Sequence, residues 1–217
     1  MATSLRPQPK MEPALREARA AGLDLTHRPR RNRKSEWARR LVRENVLTTD
    51  DLIWPIFLVD GVRQRVVVPS MPQVERFSVD EAVRAAARAA ELGIPAIALF
   101  PYTDPTLRGP HGSEALNHQN LVCNACRAIK KEVPDLGLVT DVALDPYTSH
   151  GHDGVMAGEE ILNDETVAIL VGQALNQARA GADIIAPSDM MDGRVAAIRA
   201  GLDGEGFHHV QIMAYAA

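Results

Sequence analysis

The chain has 217 residues, 46% of them hydrophobic and 24% charged, with a formal net charge of −4. That content supports a buried core and excludes a disordered tail or a disulfide-stapled miniprotein. No stretch reaches the ~20 apolar residues of a membrane helix, and no apolar signal core opens the chain, so a cytoplasmic protein with no membrane partner is expected.

The charge is unevenly spread. Residues 1–50 carry a net +6 and residues 51–217 a net −10. Residues 1–34, rich in Arg, Pro and Ala, read as an arm making oligomer contacts, with a short helix over 11–21. The run Arg28-Pro-Arg-Arg-Asn-Arg-Lys34 would suit nucleic acid by charge alone. Trp37 is the single aromatic residue near it, and no zinc-finger or RNA-binding motif occurs, so no nucleic-acid partner is expected. Residues 35–217 read as one domain, opening on a helix over 35–44 with Ser35 at its N-cap.

From residue 51 strands and helices alternate. Residues 51–59 form a strand-like apolar run. Ser78-Val-Asp-Glu81 has the form of a capping box ahead of an alanine-rich helix. Gly93 ends that helix before a buried strand over 94–100. A helix over 114–133, broken by Pro134, leads to a strand over 136–144. Another helix starts at Asn163 and Asp164 and ends at Gly181, before a strand over 182–187. A helix over 192–202 and a strand-like run over 210–216 complete the series. Gly93, Gly137 and Gly181 recur every 44 residues. Near-continuously apolar strands between helices predict a parallel sheet. A doubly wound sheet and a (β/α)8 barrel both fit that pattern. No G-x-G-x-x-G follows a strand and no P-loop sequence occurs, so nucleotide-binding readings lose their main support.

Polar residues gather where strands end: Tyr102 to Asp104, Asp145 to His150, and Ser188 with Asp189. Parallel α/β folds bind ligands at those carboxyl ends. Asp141, Ala143 and Asp145 share one side of their strand by the period of two. Thr148, Ser149, His150, His152 and Asp153 follow in a glycine-flanked loop. Clustered Asp and His can bind a divalent cation or exchange protons, or Asp145 can simply cap the loop backbone. Asp192 either caps the next helix or adds a carboxylate to the rim. Arg108, His111 and Arg194 are possible anion contacts. Cys123 and Cys126 form a C-x-x-C with no second pair, inside a helix, and read as buried reduced thiols.

The segments Asp141-Val-Ala-Leu-Asp-Pro-Tyr-Thr-Ser-His-Gly-His-Asp-Gly154 and Ala186-Pro-Ser-Asp-Met-Met-Asp-Gly-Arg194 resemble porphobilinogen synthase, also called 5-aminolevulinate dehydratase, of bacterial type. So do Arg39-Arg-Leu-Val-Arg-Glu-Asn45, Ser70-Met-Pro72 and Gly93-Ile-Pro-Ala-Ile-Ala-Leu-Phe-Pro101. The resemblance runs from about residue 27 to the end. It implies a (β/α)8 TIM barrel whose arm wraps a partner subunit, with only about the first five strands in this chain. It implies a lyase that condenses two 5-aminolevulinate molecules to porphobilinogen in haem biosynthesis, losing two waters, and that assembles as a homo-octamer.

Many members of that family hold metal through cysteines at the positions that are Ala143, Asp145 and Asp153 here. Carboxylates at Asp145 and Asp153 suit a hard cation such as Mg²⁺, or none tightly bound, and no catalytic zinc is expected. The family works through two Schiff-base lysines. The four lysines here, Lys10, Lys34, Lys130 and Lys131, end no strand. By the resemblance, the first family lysine would follow directly on Ile212-Met-Ala-Tyr-Ala-Ala217 and the second on a later strand, so both are expected beyond Ala217. The resemblance gives supporting roles to Asp141, Ser188 and Asp189. The expectation is a C-terminally truncated chain, inactive alone. The alternative is a catalytically dead paralogue that co-assembles with full-length subunits.

Overall fold

The computed structural model describes residues 27–216. The helix expected over 11–21 and Lys10 lie outside them. So does Ala217, the residue beyond which the Schiff-base lysines are expected, and the strand-like run over 210–216 is a strand only at Gln211–Ile212. The chain divides into two compact units between Val46 and Leu47. In the first unit a 3-10 turn, Pro29–Arg33, precedes helix α1 (Glu36–Leu41). Ser35 occupies the N-cap in extended geometry, but its side chain makes no capping bond. The helix stops short of residue 44 where Val42, Asn45 and Val46, all weak helix formers, follow.

The second unit carries one seven-stranded sheet. Its strands are β1 (Ile53–Leu58), β2 (Arg65–Val67), β3 (Glu75–Phe77), β4 (Ala96–Pro101), β5 (Gly137–Val142), β8 (Ile184–Pro187) and β9 (Gln211–Ile212). A separate hairpin joins β6 (Met156–Ala157) and β7 (Glu160–Ile161). The sheet order is β2-β3-β1-β4-β5-β8-β9, and every pair is parallel except β2 with β3. A doubly wound sheet reverses its order at a switch point. Here β1, β4, β5, β8 and β9 succeed one another without reversal. Among the described residues the sheet is open, with β2 and β9 at its edges.

Helices α2 (Val79–Glu91), α3 (Leu121–Glu132), α4 (Asn163–Ala180) and α5 (Arg194–Gly204) connect these strands. Alternation within the strands sorts the two faces. Ile56, Leu58, Ile97, Leu99 and Leu138 are buried with Ala82, Ala86 and Ala89 of α2 and with Ala125, Cys126 and Ile129 of α3. Val142 and Ile185 are buried with Leu170 and Ala174 of α4 and with Ile198 and Leu202 of α5. The opposite face is lined by small residues, Ala96, Ala98, Val139 and Ala186, with Phe100 and Ile184 against them. No helix among the described residues is long and apolar enough to cross a membrane.

Several local expectations are adjusted. Ser78 does sit at the N-cap of α2 without a side-chain capping bond. Its hydroxyl instead donates to Asp80 at 2.6 Å and accepts the Gln64 N–H at 2.9 Å, because the β2–β3 excursion passes over this helix start. The helix expected over 114–133 begins only at Leu121, where Asn120 accepts the Cys123 N–H at 2.9 Å. Residues Ser113–Leu116 ahead of it form a 3-10 turn. Gly93 and Gly181 leave α2 and α4 with φ of +73° and +105°, a region that favours glycine. Gly137 shares their spacing but not their role. It opens β5, where a Cβ would lie 3.1 Å from the Pro95 carbonyl.

Candidate active site

Two neighbouring strand ends, those of β5 and β8, build the site. Thr140 turns to the helix side and donates to Gln177 Oε1 at 2.9 Å, while Gln177 Nε2 donates to the Asp141 carbonyl at 2.8 Å. This buried amide fixes the end of β5, and alternation then sends the Asp141 side chain to the opposite face. Ser188 follows β8 and donates its hydroxyl to Asp141 Oδ1 at 2.5 Å. Burial pushes the Asp141 carboxyl up to about 6. The Ser188 bond opposes that rise, and Asp145, Asp153 and Asp189 add to it. An acid so poised is partly protonated near neutrality and can give or take a proton.

Asp145 lies beyond β5 in a loop. It keeps more than a third of its surface exposed, yet partial burial of its carboxyl and the charge of nearby Asp153 push it up to about 6 as well. The loop is held by Thr148, which donates to the His152 carbonyl at 2.9 Å, and by His150, whose Nε2 lies 3.2 Å from the Pro110 carbonyl. Gly154 anchors its far end in a space without room for a side chain, since a Cβ there would lie 2.6 Å from Ile161. Asp145 and Asp153 are all-oxygen donors and fit a hard cation rather than a thiolate-selected one. No group of three metal-binding side chains is assembled among the described residues.

Asp189 is tied elsewhere. Its Oδ1 accepts the Met191 N–H at 2.7 Å, and its Oδ2 lies 3.2 Å from Arg194 Nε. Burial raises its pKa, and the Met191 N–H and Arg194 oppose the rise. Arg194, one of the possible anion contacts, is thus engaged by a buried carboxylate. Asp192 does not cap α5. Gly193 holds the N-cap with φ +77°, and the Asp192 N–H donates to Asn163 at 2.8 Å. Asp192 itself is exposed.

Cys123 and Cys126 are wholly buried in α3, among the helix-side core. Burial pushes the Cys123 thiol up to about 11 and that of Cys126 higher still.

A family model described as delta-aminolevulinic acid dehydratase matches residues 26–217. The chain belongs to the delta-aminolevulinic acid dehydratase family. It is 69% identical over 214 residues to the delta-aminolevulinic acid dehydratase of Bradyrhizobium diazoefficiens, covering 98% of this chain and 61% of that protein. The enzyme of that name from Chlamydia pneumoniae is 44% identical, with 90% of this chain and 59% of that protein covered. The crystal structure of the Toxoplasma gondii enzyme in complex with its reaction product porphobilinogen matches with a TM-score of 0.84 at 45% identity. That match covers 89% of this chain and 55% of the Toxoplasma chain. The chain therefore spans about three-fifths of the curated relatives cited.

Within this delta-aminolevulinic acid dehydratase family chain, Lys130 has a structural post. It lies 2.7 Å from Asp183 Oδ2 and donates to the Leu136 carbonyl at 2.9 Å, at the amino ends of β5 and β8. That is the end of the sheet opposite Asp141. The structure also gathers two residues that sequence reasoning left apart. Arg76 of β3 and Arg108 both lie over the Tyr102 ring, at 4.6 and 5.4 Å from its centroid. The signal for Arg76 is faint, because β3 is three residues long and gives no periodicity to read.

Proposed function

We propose that this chain carries the amino-terminal part of a porphobilinogen synthase, which condenses two 5-aminolevulinate molecules to porphobilinogen with loss of two waters. Family membership supports the reading, and the Asp141–Ser188 pair at the carboxyl ends of β5 and β8 is the observation that carries it. Asp141, poised near 6, moves protons as carbon–nitrogen and carbon–carbon bonds form. Ser188 holds its carboxylate in place. Asp189, through Arg194, braces the loop that presents Ser188.

The condensation works through two lysine Schiff bases, and the reading assigns neither to Lys34, Lys130 or Lys131. A Schiff-base lysine must reach the substrate ketone as a neutral amine. Lys130 is instead ion-paired at the far end of the sheet. The 217-residue chain alone therefore forms no porphobilinogen. The working assembly is a closed (β/α)8 barrel within a cytoplasmic homo-octamer, to which residues 1–34 contribute contacts. Asp145 and Asp153 supply oxygen donors for Mg²⁺ where a metal is used, with no catalytic zinc.

The test replaces the matching segment of the Bradyrhizobium enzyme with this chain and assays porphobilinogen from 5-aminolevulinate. The chimera is active and the isolated chain is not. A folded, inactive chimera that still assembles with intact subunits would turn the reading to the co-assembling paralogue.

A further inference from the structure

Pro101 breaks the backbone ladder beside the acid of the site. Strands β4 and β5 pair in register from Ala96 with Gly137 to Leu99 with Thr140. The pairing stops there, although β4 runs on to Pro101 and β5 to Val142. The Gly137 N–H donates to the Pro95 carbonyl at 2.9 Å, which sets the phase of the ladder. Parallel bonds repeat every two residues, so the N–H due at the Asp141 carbonyl is that of residue 101. Residue 101 is proline and has no N–H. On the other flank, β5 pairs with β8 as far as Val142 with Pro187, and the Val142 carbonyl accepts the Ser188 N–H at 3.3 Å. The end of β5 is thus tied toward β8 and untied toward β4.

Gln177 fills the gap from outside the ladder. It lies on α4, wholly buried, and its Nε2 donates to the Asp141 carbonyl at 2.8 Å. Its Oε1 accepts from Thr140 Oγ1 at 2.9 Å, so the amide has one orientation. Gln173, one turn earlier, has its Nε2 3.5 Å from the same carbonyl, at the limit of a hydrogen bond. Burying an amide is unfavourable unless it is bonded. Both ends of the Gln177 amide are bonded to the strand that carries Asp141.

We infer that Gln177 is a positioning residue for the reaction: it replaces the hydrogen bond that Pro101 cannot make, and so fixes the end of β5 where the Asp141 carboxyl meets the Ser188 hydroxyl. The inference rests on the proposed function, which gives Asp141 its proton-moving role. The carbonyl and the carboxyl belong to one residue, so a shift or twist of the strand end moves the acid with it. The Ser188 bond is 2.5 Å long. A displacement of about 1 Å would take it to the limit of a hydrogen bond.

The test asks whether Ser188 still acts on Asp141 once Gln177 is gone. Carbon-13 NMR of the labelled carboxyl reads the Asp141 titration in the purified chain, with Asp145, Asp153 and Asp189, whose charges reach it, left in place. With Gln177 present, Ser188→Ala moves the midpoint upward by about one unit. In Gln177→Leu the same substitution moves it less than half as far. Pro101→Ala, which supplies the missing N–H, brings the full shift back in the Gln177→Leu background. Leu175→Ala, a loss of packing on the same helix, leaves the shift whole. Circular dichroism confirms that each variant is folded, and Gln177→Met replaces Gln177→Leu if the latter is not. In the chimera with the Bradyrhizobium enzyme, Gln177→Leu lowers kcat about tenfold or more with KM little changed. The positioning role is overturned, and the function left standing, by a full Ser188→Ala shift in folded Gln177→Leu, by no shift with Gln177 present, by no return of the shift with Pro101→Ala, or by an unchanged kcat in an active chimera. A chimera of the native chain that forms no porphobilinogen overturns the functional reading instead, whatever the NMR shows.

Discussion

Ser188 donates its hydroxyl to Asp141 Oδ1 at 2.5 Å, joining the carboxyl ends of two neighbouring parallel strands. The bond acts against the burial that raises Asp141. A hydrogen bond to a charged group is worth about 1.5–3 kcal/mol, or roughly one to two pH units. Ser188→Ala should therefore move the Asp141 titration upward by about one unit or more. Carbon-13 NMR of the labelled carboxyl reads this directly, and an unmoved midpoint would show that the hydroxyl does not hold the carboxylate.

Stability should fall as pH rises. Asp141 titrates near 6 when folded, against an ordinary value of 3.8, so between those values the folded chain binds more protons than the unfolded one. The slope of unfolding free energy with pH is then negative over about pH 4 to 6, and the loss approaches roughly 2–3 kcal/mol. Urea unfolding at pH 4.5 and 7.5 checks the sign. Asp141→Asn removes that titration and should make the slope shallower, leaving the contributions of Asp145 and Asp189, which burial also raises.

Gly154 should not tolerate a side chain. An added Cβ would sit 2.6 Å from Ile161, 3.0 Å from Thr166 and 3.2 Å from Met191. Overpacking of this kind costs about 1–3 kcal/mol. Gly154→Ala should lower the thermal midpoint by several degrees, while Gly158→Ala, with open space around it, should lower it less and only through its positive φ.

The two thiols should be inert in the folded chain. Reaction with a disulfide reagent requires the thiolate and access to it, and both cysteines are buried with raised pKa values. Ellman's reagent should label neither within minutes in native buffer and both in guanidinium. Rapid labelling of the native chain would mean that α3 opens readily.

Much of this was legible because the strands are apolar and end abruptly. The runs around Ile97, Leu138 and Ile185 sit between helices in the order the sequence suggests, and Asp141 lies on the face that strand alternation assigns it. Helix starts were less legible. Ser78 carries the right letter for a capping box, but its hydroxyl is taken by Gln64 from a distant turn. Asp192 precedes α5, yet Asn163 claims its N–H and Gly193 becomes the cap. Local residue preference cannot report such competition. The place of Arg76 was invisible for a related reason: it comes from register with Phe57 and stacking on Tyr102, neither of which leaves a mark within three residues of strand.

The most direct test places Asp141→Asn in the chimera of this chain with the Bradyrhizobium enzyme and follows porphobilinogen formation from pH 5 to 9. Loss of a positioned acid–base group costs about 10²–10⁴ in rate. The account predicts at least a hundredfold fall in kcat and loss of the inflection near pH 6. A variant that keeps both the parental rate and that inflection would contradict it.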